Sequence, residues 1–145
     1  MPDLDKLMEA QAQLQEKAYG RDIKNLEGEE RTEFIKDMTL ALSDELHEAL
    51  AEVGWKPWAT SRHVNEEAFK GELIDAFHFF MNLCLAAGMD AFELTEKYYL
   101  KNAKNLLRQE NGYDGISGKC SECGRAMDDD AVQCTEIVCM KGYEA

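Results

Sequence analysis

Basic side chains are scarce in this sequence. Sixteen Lys and Arg stand against 29 Asp and Glu, for a formal net charge of -13 with the three histidines neutral. A phosphate backbone demands a basic footprint, so the balance argues against stable binding to nucleic acid. It leaves room for small phosphorylated ligands, because divalent cations bridge acidic side chains to phosphate. Long apolar runs are missing too. The longest, FHFFMNLCLAAGM, is too short and too interrupted to span a bilayer, and MPDLDKLMEAQAQ at the start has neither part of a secretory signal. The expected location is the cytoplasm, or a host's cytoplasm for a viral chain, with no membrane partner. Proline occurs only twice and no stretch alternates as a strand, which points away from a sheet protein. Cysteine is nearly absent before residue 120. Cys84 stands alone in an apolar run, a small core residue in its simplest reading, while Cys120, Cys123, Cys134 and Cys139 crowd the last quarter. In a reducing compartment that clustering suggests metal more than disulfides.

What is present is helical periodicity. The chain has 145 residues, 45% of them apolar, enough for one globular domain with a small appendage. Leu4, Leu7, Met8, Gln11, Leu14 and Ala18 make one stripe and predict a helix over 3–18, with a polar connection after Gly20. Phe34, Ile35, Met38, Leu42, Leu46, Ala49 and Val53 keep the period over 29–53, with Gly54 as the expected stop. Pro57 forbids helix in the next loop. A third helix is expected from the cap Asn65 to Ala87, with Gly88 as its stop, and a fourth from Asp90 to Glu110, opened by an Asp90–Glu93 capping pattern. The composition then shifts to glycine, cysteine and acid, which places a boundary near 115–118. The fold class is all-α, a helical bundle.

The second and third helices carry acids at three-residue steps: Glu45 with Glu48, and Glu72 with Asp75. Such residues share a face. Phe69, Leu73, Ile74, Phe77, Phe79 and Phe80 surround the second pair, so that helix is expected to be buried on nearly every side. Unpaired buried carboxylates are costly, and a divalent cation would remove the cost. Oxygen-only clusters suit Mg²⁺ or Mn²⁺. The plain alternative is two sets of ordinary solvated charges.

In order, ELHE, WKPW, ELID and KNAKNLLRQENGY resemble the all-α NTP pyrophosphatase superfamily, and within it the dimeric dUTPase branch with the phage dCTPase–dUTPases. The resemblance covers residues 4 to 114, nearly everything but the cysteine tail. It implies a bundle of the dimeric dUTPase/MazG type that splits a deoxynucleoside triphosphate, dUTP first and then dCTP, into monophosphate and pyrophosphate. It makes Glu45, Glu48, Glu72 and Asp75 the catalytic Mg²⁺ ligands, with Mn²⁺ as a substitute. Lys101, Asn105, Arg108 and Tyr113 become the grip on phosphate or sugar. For the base it implies Gln11 and Gln15, the latter standing where the family has asparagine, along with Trp55, Phe79 and Asn82. His78 is read as a core or supporting histidine. Pro57 replaces an aromatic of the family's tryptophan-rich loop, which leaves Trp58 as a hydrophobic seal. Homodimers or homotetramers are implied as well.

The tail has the spacing C-x2-C-x10-C-x4-C, which fits a structural Zn²⁺ held by Cys120, Cys123, Cys134 and Cys139. Two domains are therefore expected, 1–115 and 116–145. Two other readings fit the same residues. One is a MazG-type enzyme for a purine deoxynucleotide; the other is a zinc-stapled helical interaction module without catalysis.

Overall fold

The structure, a computed structural model, describes residues 3–112, 114–116, 118–120, 124 and 126. Four helices run in order: α1 (Leu4–Tyr19), α2 (Gly28–Ala51), α3 (Glu66–Ala86) and α4 (Ala91–Glu110). The chain divides into two compact units, Met1–Tyr98 and Tyr99–Ala145, and the division falls within α4.

Side-chain caps open α1 and α4. Asp3 accepts from the Lys6 amide at 3.2 Å to open α1, and Gly20, at φ 63°, closes it by turning its own N–H back to Glu16. Asp90 accepts from the Glu93 amide at 2.7 Å, the first half of the expected capping pattern. α1 and α2 both pack on α3. The core comprises Met8, Ile23, Phe34, Met81, Cys84, Leu85, Ala86 and Ala91. Ile23 is 2% exposed although it lies in the connection that the sequence makes look polar.

Two expectations are corrected here. Gly54 is not the stop of α2, which ends at Ala51 with Glu52 as its cap. Gly54 is glycine because the chain returns against it: a Cβ there would lie 2.5 Å from the Ser61 carbonyl oxygen and 3.0 Å from the His63 nitrogen. Nor is α3 buried all round. Its buried residues (Ala76, Met81, Asn82, Cys84, Leu85 and Ala86) lie in its second half, while Leu73, Ile74 and Phe80 are exposed. The core forms where α1 and the start of α2 meet the end of α3, and the first half of α3 projects beyond it.

The α2–α3 pairing is antiparallel, and its register can be read at seven-residue steps. Arg31 donates from Nε to the Ala86 carbonyl at 2.8 Å, Asn82 donates from Nδ2 to Met38 Sδ at 3.3 Å, and Glu45 and Glu72 bring carboxylate oxygens within 4.8 Å of each other. One step further, Asn65 donates from Nδ2 to Glu52 Oε2 at 2.8 Å. A seven-residue repeat is two turns, which keeps one face of α2 on α3 throughout.

The second unit contains the later part of α4 and the residues beyond it. Turns at Asn111 and Gly112 end the helix, with Gly112 at φ 72°. Lys119 and Ala126 form an isolated antiparallel bridge around a turn in which the Gly124 amide donates to the Cys120 carbonyl at 2.9 Å. Among the described residues no single helix is long and apolar enough to cross a membrane.

Candidate functional site

Three of the four expected acids meet. Glu45 from α2 and Glu72 and Asp75 from α3 each offer a carboxylate oxygen, and the three lie within 4.8 Å of one another. The heptad register does this: Glu45 is one repeat beyond Met38, and Asp75 is seven residues before Asn82, Met38's partner. Glu45 and Glu72 are half-buried and Asp75 is exposed. No lysine or arginine ion-pairs with them among the described residues, where the five resolved salt bridges all lie elsewhere.

The electrostatics arise from that crowding. Partial burial, then the charges of Glu48, Asp75 and Glu72 and a hydrogen bond with Glu72, hold the Glu45 carboxyl above the ordinary glutamate range. Glu48 is exposed and outside the group of three, yet it is the foremost charge acting on Glu45. An all-oxygen set whose members repel one another suits a hard divalent cation, and the residues fit Mg²⁺ or Mn²⁺. The burial invoked from the sequence is only partial, and repulsion among the acids adds to it as a reason for a cation.

About 10 Å along the same hairpin, at seven residues' rise, the polar chemistry is different. Gln11 Nε2 donates to Asn82 Oδ1 at 2.8 Å, with Gln11 3% and Asn82 1% exposed. Gln15 is buried one turn further along α1, and Phe79 is half-buried between the amides and Asp75. Met38, which the sequence presents only as part of the apolar stripe, is the acceptor for Asn82; its place in the Arg31–Met38–Glu45–Glu52 repeat is the signal that points to it. His78 is half-buried, and its Nδ1 lies 2.9 Å from the Ile74 carbonyl oxygen one turn back on the same helix.

Trp55 and Trp58 are exposed on the loop beyond Glu52, at the opposite end of the hairpin from the amides. Trp55 lines a cavity of about 420 Å³ with His47, Leu50 and Lys56. Lys101 and Asn105 are exposed and Arg108 half-buried on the part of α4 that belongs to the second unit. Tyr113, Cys123, Cys134 and Cys139 lie outside the described residues. Cys120 is buried. Cys84 is buried in the core as expected, and burial raises its thiol pKa.

Comparison with known proteins adds relatives to this geometry. The family described as dUTPase matches residues 3–93. The span holds both acid pairs and the amides, and ends in the first turn of α4. A dCTP pyrophosphatase of Enterobacteria phage LZ5 is 40% identical, over 56% of this chain and 57% of its own. One from Enterobacteria phage T4 is 32% identical, over 55% of this chain and 61% of its own. A DNA replication protein of the same phage is 30% identical, over 51% of this chain but only 25% of its own. The chain thus spans little more than half the length of the first two. No solved structure matches it significantly.

Proposed function

The chain belongs to the dUTPase family, and from that premise we propose that it is a Mg²⁺-dependent pyrophosphohydrolase acting on a deoxynucleoside triphosphate. Its substrate is a pyrimidine nucleotide, dUTP or dCTP, and its products are the monophosphate and pyrophosphate. The observation that carries the reading is the convergence of Glu45, Glu72 and Asp75 within 4.8 Å. The family's description supports dUTP, and the names of the two phage pyrophosphatases support dCTP.

Glu45, Glu72 and Asp75 would hold the divalent cation, with Glu48 drawn in to complete the set. The cation supplies Lewis acidity and offsets the charge of the phosphates. Glu45 faces all the other acids, and its role is to orient the attacking water. Gln11, Gln15, Asn82 and Phe79 are the base-reading group. The Gln11–Asn82 bond supports this, since it fixes which amide edge remains to be offered. Trp55 belongs to the family's base contacts by resemblance. Lys101, Asn105, Arg108 and Tyr113 are assigned to phosphate and sugar on the KNAKNLLRQENGY motif.

Residues 116–145 form, in this reading, a separate Zn²⁺-binding tail after a catalytic domain of 1–115. Support comes from the cysteine spacing and the tight turn from the buried Cys120 to Gly124. A homodimer or homotetramer is supported by the apolar surface that Leu73, Ile74 and Phe80 expose on α3. Metal analysis should give one zinc per chain, and light scattering a mass above that of the single chain.

The deciding test is a substrate panel. Protein with Mg²⁺ is offered the four common deoxynucleoside triphosphates, dUTP and the ribonucleotides, with products separated by chromatography and Asp75→Asn alongside. Monophosphate and pyrophosphate from dUTP or dCTP, lost in the variant, is the expected result. Turnover of a purine would move the chain to the MazG-type reading, and no turnover with zinc bound would favour the interaction module.

A further inference from the structure

The three carboxylates sit where the hairpin has little core beneath it. Near them only Ala49 and Ala76 are fully buried; Leu42 and Phe69 are half-buried, and Leu46, Leu50, Leu73 and Ile74 are exposed. The acids repel one another as well. Packing is thin at this level and charge opposes it, so a nearby contact that ties α2 to α3 helps keep the three oxygens within 4.8 Å.

The loop that joins the two helices supplies it. Glu52 and Asn65 close its base twice: the Asn65 amide donates to the Glu52 carbonyl at 2.9 Å, and Asn65 Nδ2 donates to Glu52 Oε2 at 2.8 Å. Val53 and Val64 bridge as antiparallel neighbours, and the Gly54 amide donates to the His63 carbonyl at 2.8 Å. Arg62 reaches back from the returning limb, giving Nη1 to the Gly54 carbonyl at 3.0 Å and Nη2 to the Pro57 carbonyl at 3.2 Å. Asn65 is the residue to weigh. It stands at the N-cap of α3, where an asparagine ordinarily bonds the helix's own amides, yet its side chain makes no capping bond. It turns instead to Glu52, seven residues after Glu45 and thirteen before Asn65 itself.

We infer that Asn65 and Arg62 are positioning residues for the metal site, forming a clasp that holds α2 and α3 in the register where Glu45, Glu72 and Asp75 converge. The clasp lies seven residues from Glu45 on one helix and seven from Glu72 on the other, about 10 Å along each. Its part is to hold the cation's ligands together before the cation arrives, so that binding need not also align the two helices. This rests on the reading of the three acids as a cation site.

The test is Mn²⁺ binding, monitored by electron paramagnetic resonance of the free ion and by calorimetry on the full chain, with pyrophosphate release measured against Mg²⁺. Asn65→Asp keeps a residue that caps helices well but sets a second carboxylate against Glu52. It should raise the Mn²⁺ dissociation constant and the half-saturating Mg²⁺ about tenfold, with the rate at saturating Mg²⁺ nearly restored. Arg62→Ala should move both in the same direction by about threefold. The double variant Glu52→Gln, Asn65→Asp exchanges donor and acceptor across the same contact and should return to within about twofold of the parent. It also answers for Asn65→Asp should that variant fold poorly. Clasp variants that melt earlier but bind Mn²⁺ as the parent does would overturn the inference and leave a merely structural loop. A parent chain that binds no Mn²⁺ would instead overturn the cation site on which the inference rests.

Discussion

Asp75 and Asn82 are seven residues apart on one helix and live in opposite conditions. Asn82 is 1% exposed, donates to Met38 and accepts from Gln11, and so meets its needs within the fold. Asp75 is exposed and converges with Glu45 and Glu72, whose carboxylates are acceptors too. The first arrangement is partnered within the chain and holds the amides in a fixed shape, from which their remaining edges are offered. The second is incomplete by construction, because three like charges brought this close destabilise the fold they sit in. Polar groups that satisfy each other hold a shape; polar groups that repel each other favour a cation between them.

The sharpest way to break the comparison is to remove one member from each set. Glu72→Gln should lower pyrophosphate release roughly 10²- to 10³-fold, the scale for losing one preorganised electrostatic group, while the protein melts no earlier than the parent. Steady-state rates and a thermal melt without metal check both halves. A large fall in melting temperature would mean that Glu72 supports the fold, and that the contrast between the two ends is misdrawn.

Asn82→Leu should do the reverse and come next in size. It leaves the Gln11 amide buried without its partner, a loss of about 1–3 kcal/mol. Adding Gln11→Leu should recover part of that loss, since removing both partners of a buried bond costs less than removing one. Denaturant unfolding of the two single variants and the double measures the coupling. Simple additivity would show that the 2.8 Å contact contributes nothing of its own.

Much of this was legible beforehand, and the residues say why. The helices are legible because apolar residues recur at the helical period, and the start of α4 because Asp90 bonds Glu93 locally, neither of which depends on the rest of the fold. The acid pairs were found because a three-residue step sets a face on its own helix. Which stretch of that helix would gain a neighbour was not legible. Apolar residues ring α3 along its whole length, but periodicity cannot say that only the second half meets α1 and the start of α2. Gly54 read as a helix stop for a related reason: its constraint comes from Ser61 and His63, seven and nine residues later, after the chain has turned back. The α4 motif remains an inference from the sequence, since Lys101, Asn105 and Arg108 lie beyond the residues that match the family.

Glu48 and Glu45 give the two smaller predictions. Glu48 lies outside the group of three, so Glu48→Gln should cost activity about tenfold, less than Glu72→Gln, with the loss mostly in Mg²⁺ dependence. Equal losses would mean that Glu48 moves fully into the cluster when metal binds. The last effect is the smallest, because solvent screens charges that are only partly buried. Burial and the neighbouring acids raise the Glu45 pKa in the folded chain, so the fold holds that proton more tightly than the unfolded chain does. Without metal, its contribution to stability is therefore full below the ordinary glutamate pKa and disappears as pH rises through the raised value. Glu45→Gln cannot lose a proton there. The metal-free parent should fall relative to this variant as pH climbs from about 4 toward 7, and Mg²⁺ should close the gap at the upper end, where the carboxylate is free to bind it. Melting curves of both proteins across that range, with and without Mg²⁺, make the comparison. A gap that keeps the same width at every pH would mean that the three acids do not feel one another, and the contrast with the Gln11–Asn82 end would lose its physical basis.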